Sequence, residues 1–446
     1  MKHPVKSSLL FLTIMIASTY SAVSYSQNKS LKLIAPDLTF KDRSEDNKFL
    51  QGIISRVKKD YVEEKSNKEL YEAAASGILS SLDPHSSYLD EDDLKEMQVQ
   101  TKGEFGGLGI EITTEFSLIK IISPIEGTPA HQAGIKSGDY ISKVDGKSVV
   151  GLKIEEVVKK LRGKPGTKVA ITILRKAETS PIEIIIQREI IKIKAVRSDY
   201  QQDVVYIKIN SFSEQASVGV KKSLKTLINK IGADKVKGIV LDLRGNPGGL
   251  LSESIKVSDI FLDKGQDIVS ISGRNKEEGK IYQDDSDQNL TKNIPVAVLI
   301  NEGSASASEI VAGALQDNNR AIIMGVKSFG KGSVQSVVPL DQNYGALKMT
   351  TALYYTPSGK SIQAHGIDPD IIVDTAKLEK EDKNLDNVKS EASLEGHLKN
   401  QIEDEIKTAN KSQIGDDNLE IYNEDYQLAR AIDLLRGISV YKAKSK

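Results

Sequence analysis

Val296-Ala297-Val298-Leu299-Ile300 runs into Asn301-Glu302-Gly303, then Ser304-Ala305-Ser306-Ala307-Ser308, then Glu309-Ile310-Val311-Ala312. The apolar, β-branched run is the pattern of a strand covered on both faces, as in a largely parallel sheet. The small residues allow a sharp turn, and a helix is predicted over Ser306–Gln316. A serine on such a strand-to-helix turn is held at the sheet's edge, where the helix's first N–H groups point at whatever the hydroxyl attacks. A developing oxyanion would meet backbone donors and the positive helix end. Ordinary helix capping by one of the three serines explains the same letters, so the motif needs partners.

Working outward, strands and helices alternate. Strands are predicted at Val204–Ile209, Gly238–Leu243 and Ala321–Met324. A helix is marked by Val218, Leu224, Leu227, Ile228 and Ile231, and another by Leu250–Leu262. This alternation argues an α/β layered core whose sites lie at the carboxyl ends of strands. Upstream, residues 101–188 read as a compact unit with β-rich runs at Leu118–Ile122, Val169–Leu174 and Ile182–Ile186 and a helix at Ile154–Leu161. Asp46–Met97 is helical in pattern, interrupted by the turn Leu82-Asp83-Pro84-His85; His85 reads as a loop or capping residue.

Composition narrows the chemistry. The 446 residues carry 61 Lys+Arg against 62 Asp+Glu, a balance that gives no case for a nucleic-acid binder. There is no Cys, which excludes thiol nucleophiles, disulfides and Cys-ligated metal; the five His form no HExxH. Two motifs fail on inspection. Gly325–Lys331 resembles GxxxxGK, but Gly332 stands where Ser or Thr must hold magnesium. Ser328-Phe329-Gly330-Lys331 is formally SxxK, but Gly330 interrupts it and a β-rich stretch follows.

A nucleophilic Ser306 needs a base. Lys331, flanked by glycines, is the better candidate than His365. A lysine acts as a base near neutrality only if its pKa falls from about 10.4 to roughly 7–8, which burial favours. Gln335 lies four residues on and could orient the amine. The turn Arg244-Gly245-Asn246-Pro247-Gly248-Gly249, between a strand and a helix, could bring a second oxyanion donor.

These residues resemble the carboxyl-terminal processing proteases, PDZ-containing serine peptidases. The resemblance runs through Gly303–Ile310, Gln316-Asp317, Phe329–Gln335, Thr356–Gln363, Asp368-Pro369-Asp370 and Leu82–Tyr88, and covers about 45–440. It implies Ser306 as nucleophile, Lys331 as base, Gln335 as its partner, and the amides of Ala307 and Gly249 as oxyanion hole. It implies an α/β and α+β multidomain fold: a layered protease core of crotonase/Clp-protease type with an inserted PDZ domain and a helical N-terminal region. Glu104–Ile110 resembles a PDZ carboxylate-binding loop, so Gly107, Leu108, Gly109 and Ile110 are expected to hold a peptide C-terminus while the peptide adds a strand. The implied partners are protein or peptide substrates with free, apolar C-termini, with no cofactor and no metal. An adaptor, an oligomer and membrane association stay open.

The expected domains are a signal peptide (1–26), a helical region (27–100), the PDZ domain (101–188), the protease core (189–375), a charged segment (376–418) and a docking C-terminal helix (419–446). Lys2 and Lys6 precede the apolar run Leu9–Ala17, with Ala22 and Ser24 after it, the plan of a bacterial Sec signal and hence of a periplasmic protein. An uncleaved anchor is the alternative, although the run is short of the roughly 20 residues a span needs. The functional rival is a catalytically silent PDZ scaffold; an acyl-CoA enzyme on a similar layered fold is disfavoured by the PDZ unit.

Overall fold

The computed structural model describes residues 45–376, apart from 177, 287, 288, 292 and 341–343, together with 424–444. The expected signal peptide and the charged stretch Lys377–Asn410 lie outside the described residues. Among the described residues, no helix is long and apolar enough to cross a membrane.

The described residues fall into two units, one of residues 45–92 with 335–350 and one of residues 93–334 with 351–376 and 424–444. In the first, helices Glu45–Asp60 and Asn67–Ser80 precede the short strand Ser87–Leu89. Ser66 and Glu69 form a reciprocal capping box at the second helix. The predicted turn follows. Asp83 Oδ1 accepts from the His85 and Ser86 amides, so His85 is a turn residue. Ser87–Leu89 pairs antiparallel with Ala346–Lys348, which groups 335–350 with the N-terminal helices.

In the second unit, the PDZ portion has the strand order Ile110–Glu115, Leu118–Pro124, Tyr140–Val144, Lys168–Leu174, Ile182–Gln187. Alternate residues of these strands (Ile119 and Ile121; Val169, Ile171 and Ile173) face one core. Val157 and Leu161 close that core from the helix Ile154–Leu161.

The layered core has the strand order Val196–Gln201, Val204–Ile209, Gly238–Asp242, Val296–Ile300, Ile322–Gly325, Ile371–Ile372. The first pair is antiparallel and the rest are parallel. Ile239, Leu241, Val298 and Ile300 point to one face, packed with helices Ala216–Ile231, Leu251–Ser258 and Ala307–Asp317. Val240, Ala297 and Leu299 point to the other, against Leu428, Ile432 and Leu435 of the helix Tyr426–Lys444. The C-terminal helix packs on this face, each of those three side chains contributing about 1.5–3 kcal/mol on burial. One boundary is corrected: the helix predicted over Leu250–Leu262 ends at Ser258, and Asp259–Leu262 is a turn whose apolar residues are buried individually.

Candidate active site

Strand Val296–Ile300 ends at Asn301, whose Oδ1 accepts from the amides of Gly245 and Gly303 and so ties two strand ends together. The chain then turns into the helix Ala307–Asp317 through Ser306, at φ 54° and ψ −111°. An ordinary N-cap has β-region angles. A non-glycine residue at positive φ is held there only by its surroundings. The holding groups are visible. Ser304 Oγ donates to Leu243 O at 2.8 Å, and Ser308 Oγ to Asn246 O at 3.0 Å. The Ala305 amide donates to Asn246 O at 3.0 Å. Two of the three serines are thus tied to backbone carbonyls, whereas the Ser306 side chain is hydrogen-bonded to the Tyr354 side chain.

Asn246, fully buried, also orders the glycine turn: its Oδ1 accepts from Gly248 N and its Nδ2 donates to Ile209 O. Gly248 and Gly249 have φ of 105° and 144°. A Cβ on Gly248 would lie 2.9 Å from Ser306 Cβ, and one on Gly249 would lie 2.5 Å from Phe212 O. Only glycine permits this approach. Phe212 N and Leu250 N bond across to Gly248 O and Phe212 O, on either side of Gly249. Among the described residues the Gly249 and Ala307 amides have no protein acceptor. The glycine turn and the first turn of the helix therefore offer donors beside the Ser306 side chain.

Lys331, half-buried, lies in the loop before strand Ser333–Pro339. That loop and the Ser306 turn converge on one residue, Glu309, which is fully buried. Its Oε1 accepts from Ser328 Oγ and Gly330 N, both at 2.6 Å. Its Oε2 accepts from Ser306 N at 2.7 Å and Lys331 N at 2.9 Å. One carboxylate oxygen thus holds the backbones of the candidate nucleophile and the candidate base. Gln335 sits on the strand Ser333–Pro339, in the other unit, where its amide group donates to Thr350 Oγ1 at 3.2 Å.

Sequence reasoning gave no role to Glu309, Asn246 or Tyr354. Glu309 carried a signal, since Ser-x-x-Glu at a helix start is the capping-box pattern. Tyr354 is buried, and burial pushes its hydroxyl up to about 12, opposed by a hydrogen bond with the Ser306 side chain. It stays protonated at neutral pH and is no base.

In the PDZ portion, Glu104–Gly107 is a strand paired with Glu189–Lys192, and Leu108-Gly109 leads into Ile110–Glu115. Leu108 is buried in the core beside Val157 and Leu161, and its carbonyl accepts from Ala130 N at 2.9 Å. Ile110–Glu115 is an edge strand of its sheet, the geometry that admits an added peptide strand.

A PDZ domain beside a layered core with serine on its strand-to-helix turn defines a PDZ-containing serine peptidase. A Peptidase family S41 model matches residues 203–373 and a PDZ domain model matches residues 120–175. A carboxy-terminal-processing protease of Bartonella bacilliformis is 47% identical over 92% of this chain and 93% of its own. A probable CtpA-like serine protease of Staphylococcus aureus (strain COL) is 34% identical over 94% and 88%. Among solved structures, a photosystem II D1 C-terminal processing protease is 28% identical, with a TM-score of 0.43, over 73% of this chain and 88% of that one. This chain belongs to the carboxyl-terminal processing proteases of peptidase family S41.

Proposed function

We propose that this chain is an exported endopeptidase that recognises free protein C-termini through its PDZ domain and cleaves with a Ser306–Lys331 dyad assisted by Gln335. The observation that carries the reading is the convergence at Ser306: a serine at positive φ, a free Ala307 amide behind it, the glycine turn packed against it, and Glu309 shared with the Lys331 backbone. Lys331, neutral, accepts the Ser306 proton as Oγ attacks the scissile carbonyl. The Ala307 and Gly249 amides receive the oxyanion. Collapse expels the amine, which takes the proton from Lys331, and leaves an acyl-enzyme. Lys331 then takes a proton from water as the hydroxide attacks the acyl carbon; collapse breaks the ester, Ser306 Oγ leaves and recovers its proton from Lys331, and the acid is released. Gln335 orients the lysine amine. The amides of Gly107–Ile110 hold the substrate's terminal carboxylate while the peptide extends along Ile110–Glu115. The N-terminal segment 1–26 directs the chain to the periplasm.

Lys331→Arg tests the dyad. Arginine keeps the charge but does not deprotonate, so hydrolysis of a fluorogenic peptide should vanish while melting is unchanged. In the wild type the rate should rise with pH as the lysine loses its proton. An active arginine variant would remove the Ser–Lys mechanism.

A further inference from the structure

Two carboxylate oxygens in the protease core are buried without a donor. Asp284 is 2% exposed, and while its Oδ1 accepts from Ser286 N at 2.7 Å, its Oδ2 has no hydrogen-bond partner among the described residues. Asp259 Oδ1 is in the same condition. Carboxylate oxygens of Asp259, Asp284 and the exposed Asp285 all lie within 4.8 Å of one another. An unsatisfied buried acceptor costs on the order of 1–3 kcal/mol, more if charged, and like charges this close repel.

The backbone holds the acids in this arrangement. Asp259 terminates the helix Leu251–Ser258. Asp284 follows strand Lys280–Gln283, its amide donating to Gln266 O and its carbonyl accepting from Gly265 N. The nearby charges are Asp263, which adds to the negative field, and Lys221, which opposes it. Burial and the charges of Asp284 and Asp285 disfavour the ionised form of Asp259, and a side-chain hydrogen bond between Asp259 and Asp284 is the alternative to an ion. A shared proton would answer two of the carboxylates and leave the third and Asp263 uncompensated. A divalent cation answers all of them. Three converging carboxylates with no nitrogen or sulfur donor suit a hard, oxygen-seeking ion, and calcium tolerates irregular coordination where magnesium demands a near-ideal octahedron.

We propose that Asp259, Asp284 and Asp285 form a calcium site that braces the end of helix Leu251–Ser258 against the loop after strand Lys280–Gln283. The ion is structural and takes no part in hydrolysis. Absence of Cys and scattered His gave no hint of it, because the ligands are carboxylates brought together only by the fold.

The test uses the full chain stripped with EDTA and dialysed, titrated with calcium chloride alone, with magnesium chloride and matched sodium chloride as further arms. The melting temperature should rise saturably with calcium, and calorimetry should give a Kd of order 10⁻⁴–10⁻³ M or tighter. Asp284→Asn should weaken binding at least about tenfold. Asp285→Asn, at an exposed position, should do the same without lowering the melting temperature of the stripped protein, so it carries the test if the Asp284 variant does not fold. No calcium-specific shift up to roughly 10 mM would overturn the proposal, as would wild-type affinity in Asp285→Asn. An Asp259→Asn variant that melts higher than the stripped wild type, with calcium inert on both, would mean a shared proton only and would also overturn it.

Discussion

At the scale of the residue, the three serines of the turn separate by their partners. Ser304 and Ser308 are fully buried and donate to Leu243 O and Asn246 O. Replacing either by alanine removes one of two donors to a buried carbonyl, since Asn246 N still serves Leu243 O and Ala305 N still serves Asn246 O, at about 0.5–1.5 kcal/mol. Both variants should therefore melt lower than wild type yet keep a rate within about tenfold of it, since the proposed nucleophile, Ser306, stays in place. Ser306→Ala should differ in rate. Alanine keeps the Cβ and the backbone restraints and loses only the hydrogen bond with Tyr354, so melting should fall by no more than in the other two variants while hydrolysis is lost. Parallel melting curves and single-turnover rates on one peptide distinguish the patterns; a stable but inactive Ser304→Ala would place the nucleophile elsewhere. The letters of the motif do not separate these serines. The carbonyls that engage two of them come from a different strand end, some sixty residues earlier in the chain.

At the scale of the element, Glu309 turns a helix start into a clamp on the loop Ser328–Lys331. Each carboxylate oxygen accepts two donors. In Glu309→Gln one of those ends becomes an NH₂ group that faces backbone N–H donors it cannot serve. We expect a lower melting temperature and a fall in kcat on the order of 10²-fold, larger than any change in KM, because misplacing the proposed base and nucleophile raises the barrier without touching remote binding. Unchanged kcat in a variant that melts lower would reduce the clamp to a packing role. The elements that frame the clamp were legible in the sequence. Val204–Ile209, Gly238–Asp242 and Val296–Ile300 are apolar runs because both sheet faces are covered, and Ile154–Leu161 carries its two buried residues at helical spacing. The helix read as Leu250–Leu262 came out too long for a definite reason. Ile260, Phe261 and Leu262 are buried in a turn, and a buried turn after a helix has the same apolar letters as another helical turn. Glu309 announced itself as a cap but not as a clamp, since its second set of donors lies about twenty residues away. The PDZ edge strand predicts its own test. Amidating a substrate's C-terminus should weaken its binding to the full-length Ser306→Ala chain, and equal affinity for acid and amide would take C-terminal reading away from Gly107–Ile110.

At the scale of the whole molecule, the chain's last helix is tied to the loop that begins the candidate oxyanion turn. Arg244 donates through Nε and Nη2 to both oxygens of the buried Asp242, through Nη1 and Nη2 to Asp425, and through Nη1 to Gln427. From Arg244 the chain passes in a few residues to Gly248 and Gly249, so the seat of the C-terminal helix and the position of the Gly249 amide share one side chain. Burial would raise the Asp425 carboxyl, but the hydrogen bonds from Arg244 outweigh it and hold the group below the ordinary carboxylate range. A carboxyl depressed in the folded state stabilises it above the unfolded pKa, about 3.9, and loses that contribution as pH falls through the folded value. Asp425→Asn isolates this term, because asparagine keeps an oxygen for the Leu428 amide that Asp425 Oδ1 caps at 3.0 Å. The variant should melt below wild type at pH 7, and the gap should stay constant down to about pH 5 and close as pH falls below about 4. Peptide hydrolysis at pH 7 should drop through kcat, because a loosened Arg244 no longer fixes the turn that carries Gly249. A melting gap that persists unchanged at pH 3 would show that the charge of Asp425 is not what ties the helix down, and packing of Leu428, Ile432 and Leu435 would be left to hold it alone.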